Sequence, residues 1–369
     1  IFGFLRSFLW YKTRREGVRR NSTASPAVFI PSATFRCNHQ MTSMTRPDSH
    51  AADFTVVRDG DELPSHLRRA FIAIGNFDGV HRGHRTVIDR AIELAREDRR
   101  PALALTFEPH PRAFFRKDQP LFRLTPEPEK LRLLATTGLD GAVVMNFDGR
   151  LAGLSARDFV ADILVKRLSI VGVVVGESFH FGRRRQGTPQ FLQEEGEERG
   201  FEVELMKPLV FRGAPVSSSA IREALEKGEV ESAAKLLGYT WFVSGKVIHG
   251  DKRGRELGYP TANVALNPAC GLSHGIYAVR VRVRGEVHDG VASFGRRPTF
   301  GGGAPLLEVF LFDFEGDLYD EAIDVAFIGW IRPEEKFADA EALKRGMDAD
   351  SATAREKLAA AQGEFPLAD

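Results

Sequence analysis

Phe71-Ile72-Ala73-Ile74 runs directly into Gly75-Asn76-Phe77-Asp78-Gly79-Val80-His81-Arg82-Gly83-His84, and this stretch decides the fold. Four consecutive apolar residues read as a buried strand, and the glycine-bearing turn ends it. Beyond the turn, Val87, Ile88, Ala91, Ile92 and Ala95 are spaced to fill one face of a helix. Outward from this unit the pattern repeats. Strand patterns lie at 102–107, 141–147 and 171–176, the last almost wholly apolar, as a strand covered on both faces should be. Helical patterns lie between them at 127–137 and 156–168. Such alternation predicts βαβ units and a parallel sheet, with ligands at the carboxyl ends of its strands.

The texture changes after about residue 240. Ile276-Tyr277-Ala278-Val279-Arg280-Val281-Arg282-Val283 alternates with a two-residue period, and 287–294, 306–312 and 322–331 are further strand patterns between Gly-rich or charged turns. This predicts a small antiparallel β-barrel. An Ala-, Leu- and charge-rich run from Asp339 predicts a closing C-terminal helix. The expected organisation is therefore α/β, a Rossmann-like domain at 51–228 followed by a barrel domain at 229–369, joined by a helix at about 229–238. Residues 1–50 read as a disordered extension or a start placed too early.

The 369 residues suffice for two domains, each with its own core. Net charge is +1, but residues 1–50 hold eight basic and two acidic side chains, leaving 43 against 48 in the remainder. No basic excess marks a nucleic-acid binder. No apolar run is long enough for a transmembrane helix. Two cysteines make no disulfide framework, which points to a reducing compartment and hence the cytoplasm. Small-molecule substrates are expected, with neither nucleic acid nor membrane as partner, and a homo-oligomer is left open.

A glycine turn between strand and helix exposes N–H groups at a helix N-terminus, a natural anion site. His81 and His84, three apart, can point the same way and donate to phosphate oxygens whose charge grows in a transition state. A surface pair or a metal site is the competing reading. Ser217-Ser218-Ser219 followed by Arg222 opens another helix. These hydroxyls are N-caps or, with Arg222, a triphosphate clamp. Arg183-Arg184-Arg185 is a solvated loop or a phosphate attractor. The stretch 245–263 is rich in glycines and basic side chains, which let a backbone approach a polyphosphate. It is not a Walker A motif.

Together these segments resemble the HxGH nucleotidyltransferases and, more closely, the bacterial bifunctional riboflavin kinase/FAD synthetases, over roughly residues 54–360. The resemblance implies that Gly75, Asn76, Phe77, Asp78, Gly83, Ser217, Ser218, Ser219 and Arg222 bind ATP beside the catalytic His81 and His84. Ser219 stands where the family usually has Thr. Thr106-Phe107-Glu108-Pro109-His110-Pro111 resembles the family's TFxPHP. The segment 175–182 looks like GxDFxFG, with Ser178 for the usual Asp, and Ser178, Phe181 and Asn146 are the implied flavin contacts in this half.

In the barrel half, Pro260-Thr261-Ala262-Asn263 resembles the PTAN signature of riboflavin kinases. The resemblance implies Thr261 and Asn263 as Mg²⁺ and nucleotide contacts, both hard oxygen ligands. It also implies Gly250, Lys252 and Gly254 around ATP, Glu308 as general base, and Arg297 and Arg332 at the flavin. Ser293 stands where Asn is usual. The implied reactions are riboflavin to FMN and FMN to FAD, each using ATP. Adenylyl transfer to another acceptor, or a flavin-binding module with one half inactive, are the alternatives.

Overall fold

The computed structural model describes residues 54–249, 258–296, 305–361, 365 and 367. Six strands, β1 (Thr55–Arg58), β2 (Phe71–Ile74), β3 (Ala102–Glu108), β4 (Gly141–Asn146), β5 (Gly172–Gly176) and β6 (Glu202–Met206), form a parallel sheet. Their order is β1-β4-β3-β2-β5-β6. The chain moves from β2 to β3 and β4 on one side, then returns to β5 and β6 on the other. The crevice of such a sheet opens at that reversal, outside the carboxyl end of β2. The loop 75–81 leaves the sheet there.

Helix α1 (Arg82–Glu97) buries Val87, Ile88, Ala91, Ile92 and Ala95, the face its spacing implies. Next come α2 (Pro111–Phe115), α3 (Glu127–Ala135) and α4 (Gly149–Gly153). The helix expected at 156–168 begins as α5 (Ala156–Asp158) and widens into π-turns over Phe159–Arg167. After α6 (Pro189–Arg199) a short hairpin, β7 (Val210–Phe211) and β8 (Ala214–Pro215), leads to α7 (Ser218–Glu226) and α8 (Val230–Leu237). Apolar clusters fill both faces of the sheet.

The barrel comprises β9 (Phe242–Ile248), β10 (Ala262–Ala265), β11 (Gly275–Val283), β12 (Glu286–Arg296), β13 (Pro305–Leu311) and β14 (Ala322–Arg332), all antiparallel and closed in the order β10-β13-β12-β11-β14-β9. Alternate residues such as Val264, Ala292, Leu307 and Val309 point inward and are buried. Helix α9 (Ala340–Ala360) begins where expected, with the Asp339 side chain accepting from the Ala342 N–H. The expected boundary at 228/229 crosses a shared core, because Ile221 and Leu225 of α7 lie in the same apolar cluster as the barrel interior. Residues 50–369 form one compact unit. Among the described residues no helix is long and apolar enough to cross a membrane.

Candidate active sites

The loop after β2 is built against its neighbours. Phe77 (φ 49°), Gly79 (φ 89°) and Val80 (φ 34°) lie in the left-handed region. Backbone of this kind costs energy for residues bearing a Cβ and persists where packing over-determines it. Phe77 and Val80 are buried at 1% and 0% exposure, which supplies that packing. At Gly79 a Cβ would come within 2.9 Å of Leu124 Cδ1, so glycine is required there twice over. A Cβ on Gly83 would stand 3.2 Å from the His81 ring.

His81 caps α1, its Nδ1 accepting from the His84 N–H at 3.2 Å. Burial is the main cause that lowers its pKa to about 4, so the ring is neutral near pH 7. With Nδ1 accepting, the single proton of neutral His81 sits on Nε2, a donor facing away from the backbone. His84 stacks on His81 with ring centroids 3.6 Å apart, and Phe77 meets it edge-on at 5.4 Å. Burial holds His84 well below its ordinary pKa too, and its enclosed Nδ1 has no hydrogen-bond partner among the described residues. His110 caps α2 in the same way, with Nδ1 accepting from the Arg112 N–H at 3.1 Å and a pKa lowered by burial to about 4.

Beneath the loop runs a chain of charges, of which sequence reasoning had singled out Asp78 and Arg222 but not Arg123 or Lys130. The fully buried Lys130 donates from Nζ to Glu108 Oε1 at 2.6 Å and to Thr106 Oγ1 at 3.0 Å. Arg123 grips Glu108 with two bonds of 3.0 and 2.8 Å and stands 3.6 Å from Asp78. Asp78, 1% exposed, pairs with Arg222 and accepts from the Thr125 N–H at 3.0 Å. Burial pushes the Glu108 carboxyl up, but Arg123 and Lys130 together hold it below its usual range. Three cations against two carboxylates leave an excess positive charge beside the loop, as a polyphosphate site requires. One signal was available. Lys130 shares the helical spacing of Leu133 and Leu134, so it lies on the buried face of α3.

The other expected residues fall into three groups. Ser217 caps α7 through the Ala220 N–H, Ser218 donates to Asp78 O at 2.9 Å, and Ser219 is exposed. Arg222 is engaged with Asp78 and with Phe122 O, so Ser218 and Arg222 brace the loop. Asn76 is exposed and Gly75 lies against the Phe77 ring. Asn146 ends β4 beside Asp148, and Ser178 is exposed just after β5, with its carbonyl accepting from His180 Nδ1. Phe181 is instead packed in the core against Phe159, Phe179 and Phe191. A different aromatic faces out near the carboxyl ends of β3 and β4. Phe115 is 67% exposed and meets Phe114 and Phe147 edge-on at 5.2 and 5.7 Å. Arg183, Arg184 and Arg185 are exposed.

In the barrel the site follows from strand register. Asn263 of β10 lies opposite Glu308 of β13, Glu308 opposite Ser293 of β12, Ser293 opposite Ile276 of β11, and Ile276 opposite Arg332 of β14. Directly paired residues share a face, so one rung carries all five around the barrel. Their neighbours Val264, Leu307, Val309 and Phe294 point into the core, which puts the rung on the outer wall. That wall is roofed by 333–351. The result is a cavity of about 340 Å³ lined by Thr261, Ser293, Glu308, Arg332, Phe337 and Met347, among others. A lone Glu in an apolar strand is ordinarily a solvent-facing residue; here its outward face is covered. Arg332 is fixed by two bonds of 2.7 Å to Asp350 of α9. Thr261 also lines a second, smaller hollow with Phe314, Leu318 and Tyr319, so it stands between two spaces. Gly250, Lys252, Gly254 and Arg297 lie outside the described residues.

The structure thus joins a parallel sheet that carries a His pair at its strand reversal to a barrel with a carboxylate in a roofed cavity. Residues 63–220 match the FAD synthetase family model and residues 237–358 the riboflavin kinase model. The chain is 42% identical over 286 residues to the bifunctional riboflavin kinase/FMN adenylyltransferase of Escherichia coli (strain K12), covering 77% of this chain and 91% of that one. It is 43% identical over 304 residues to the protein of that name from Pseudomonas fluorescens, covering 81% and 96%. The chain belongs to the bifunctional riboflavin kinase/FMN adenylyltransferase family. A crystal structure solved under the name macrolide-efflux protein, from Streptococcus pneumoniae, superimposes with a TM-score of 0.73 at 29% identity, covering 81% of this chain and 98% of that one.

Proposed function

We propose that the barrel half phosphorylates riboflavin to FMN with ATP and that the α/β half converts FMN to FAD with a second ATP. The observation that carries this reading is that two family models, FAD synthetase over residues 63–220 and riboflavin kinase over residues 237–358, match separate parts of the chain. In the barrel, Glu308 takes the proton from the ribityl 5′-hydroxyl. That oxygen bonds to the γ-phosphorus, the β–γ bridging bond breaks, and ADP leaves. Arg332, held by Asp350, and the apolar lining of the cavity receive the flavin. Thr261 lies between this cavity and the smaller hollow, a position suited to meeting both donor and acceptor.

Thr261 and Asn263 offer a hydroxyl and an amide oxygen, a donor set that fits Mg²⁺ retaining several waters. When bound there the ion supplies positive charge to the polyphosphate. Among the described residues no cluster of three or more His, Cys, Asp or Glu competes as a metal site.

In the α/β half an oxygen of the FMN phosphate attacks the α-phosphorus of ATP, the α–β bond breaks, and pyrophosphate leaves. Neutral His81 and His84 donate to phosphate oxygens, and the Lys130–Glu108–Arg123–Asp78–Arg222 chain keeps their loop in place. Positioning and electrostatics supply the rate. Asn146, Ser178 and the exposed Phe115 ring form the flavin side. Intracellular ATP and the sparse cysteines suit a cytoplasmic enzyme.

Incubating the pure chain with riboflavin, ATP and Mg²⁺, with chromatography of the flavins, tests both steps. Absence of FMN sinks the kinase assignment. FMN without FAD favours the second reading, in which Ser178 in place of Asp has left the adenylyl half a binding module.

A further inference from the structure

Three carbonyls of the 75–81 loop are each held by a side-chain hydroxyl from a different element. Thr106 of β3 donates to Asn76 O at 3.2 Å, Ser218 of α7 to Asp78 O at 2.9 Å, and Tyr239 to Gly79 O at 2.7 Å. The first two belong to the α/β half. Tyr239 does not: it follows α8 and stands just ahead of β9, the first strand of the barrel.

Its neighbour repeats the contact. Trp241 donates its indole N–H to Leu124 O at 2.9 Å while stacking on Phe327 of β14 at 5.2 Å. Leu124 lies between Arg123 and Thr125, which both meet the Asp78 carboxylate. The segment 239–241 therefore grips the loop and its supporting strip at one carbonyl each. Burial pushes the Tyr239 hydroxyl far above its ordinary ionisation range, so it remains a donor at physiological pH.

We infer that Tyr239 is a positioning residue of the adenylyl site, contributed by the segment that opens the barrel, so that its own hydroxyl bond to Gly79 O sets the orientation of His81 and His84. A loop with left-handed backbone at Phe77, Gly79 and Val80 holds its shape only through such external ties. Gly79 is the middle one of these positions and lies two residues before His81. The inference rests on the assignment of adenylyl transfer to the α/β half.

The test is Tyr239→Phe in the full chain, which keeps the ring beside Phe242 and removes only the hydroxyl. Turnover of FMN to FAD should fall roughly 3- to 10-fold, the scale of one buried hydrogen bond. KM for FMN and both constants for riboflavin phosphorylation should stay unchanged. Asp324→Asn serves as the control. It weakens the Arg132–Asp324 pair, bonds of 2.8 and 2.5 Å that join α3 to β14 without a bond to the 75–81 loop, and should leave adenylyl turnover intact. An unchanged Tyr239→Phe, parallel loss of both activities, or an equal loss in Asp324→Asn would each overturn the inference. Absence of FAD from the unaltered protein would instead overturn the assignment of adenylyl transfer, and the role of Tyr239 in it.

Discussion

The loop 75–81 of the α/β half and the Glu308 rung of the barrel, the two proposed sites, are held in place by different means. In the α/β half the loop 75–81 is strained and is tied down from β3, the 122–125 strip, α7 and the segment before β9. In the barrel, Asn263, Glu308 and Ser293 are aligned by strand pairing, and Arg332 joins their rung across a register shift at Ile276/Tyr277, held by Asp350. The first arrangement spreads positioning over many distant contacts. The second concentrates it in strand register, which a single surface substitution does not shift. Damage should therefore behave differently in the two halves.

The sharpest separation comes from Glu308→Gln. Loss of a general base should cut FMN formation by about 10²- to 10⁴-fold while FMN added directly is still converted to FAD. A matched loss of both activities would break the two-site comparison. His84→Ala should do the reverse, lowering FAD formation by about 10²- to 10³-fold with the kinase intact, as for the loss of one preorganised donor.

Lys130→Met probes the distributed network. It strips a charge-assisted bond from Glu108 in a buried setting, and urea unfolding should show a loss of about 2–3 kcal/mol. FAD formation should suffer more than FMN formation. An undiminished unfolding midpoint would mean that the buried charges do not brace the loop. Arg332→Lys probes the rung more gently. Lysine cannot reproduce the two-pronged grip on Asp350, so the riboflavin KM should rise roughly 3- to 5-fold with kcat nearly unchanged.

The smallest effect expected is on the pH profile of FAD formation. His81 is held neutral by burial, at about 4 against an ordinary 6.5. Between those values the unfolded chain takes up a proton that the folded chain refuses. The stability contribution is therefore fully present above about pH 6.5 and is lost as pH falls toward 4. Adenylyl turnover should show no inflection near 6.5. A limb at that pH would mean that the catalytic imidazole is solvated, unlike the His81 described above.

Much of this was legible residue by residue. The loop, the His pair, the four central strands of the parallel sheet and the alternating barrel strands all declare themselves through local polarity patterns. Strands β1 and β6 did not, being short edge strands, and neither did β9, whose pattern runs into the Gly-rich stretch, or β10, only four residues long. Phe181 was expected at the flavin and lies in the core, because an aromatic reads the same in sequence whether it packs inward or faces a ligand. Phe115, which does face out, was passed over for the same reason.

The sequence by itself determined the class of each half and the type and order of most of its elements, since hydrophobic period and glycine placement are local properties. Only the tertiary structure decided which polar groups are solvated and which are enclosed. Lys130 is surrounded because α3 packs its buried face over Thr106 and Glu108. Glu308 lines a cavity because α9 and the segment before it cover the outer wall of the barrel. Tyr239 reaches Gly79 O because α8 delivers the chain to that spot. Burial of a polar group depends on what lies across from it in space, and residues far apart along the chain provide that cover.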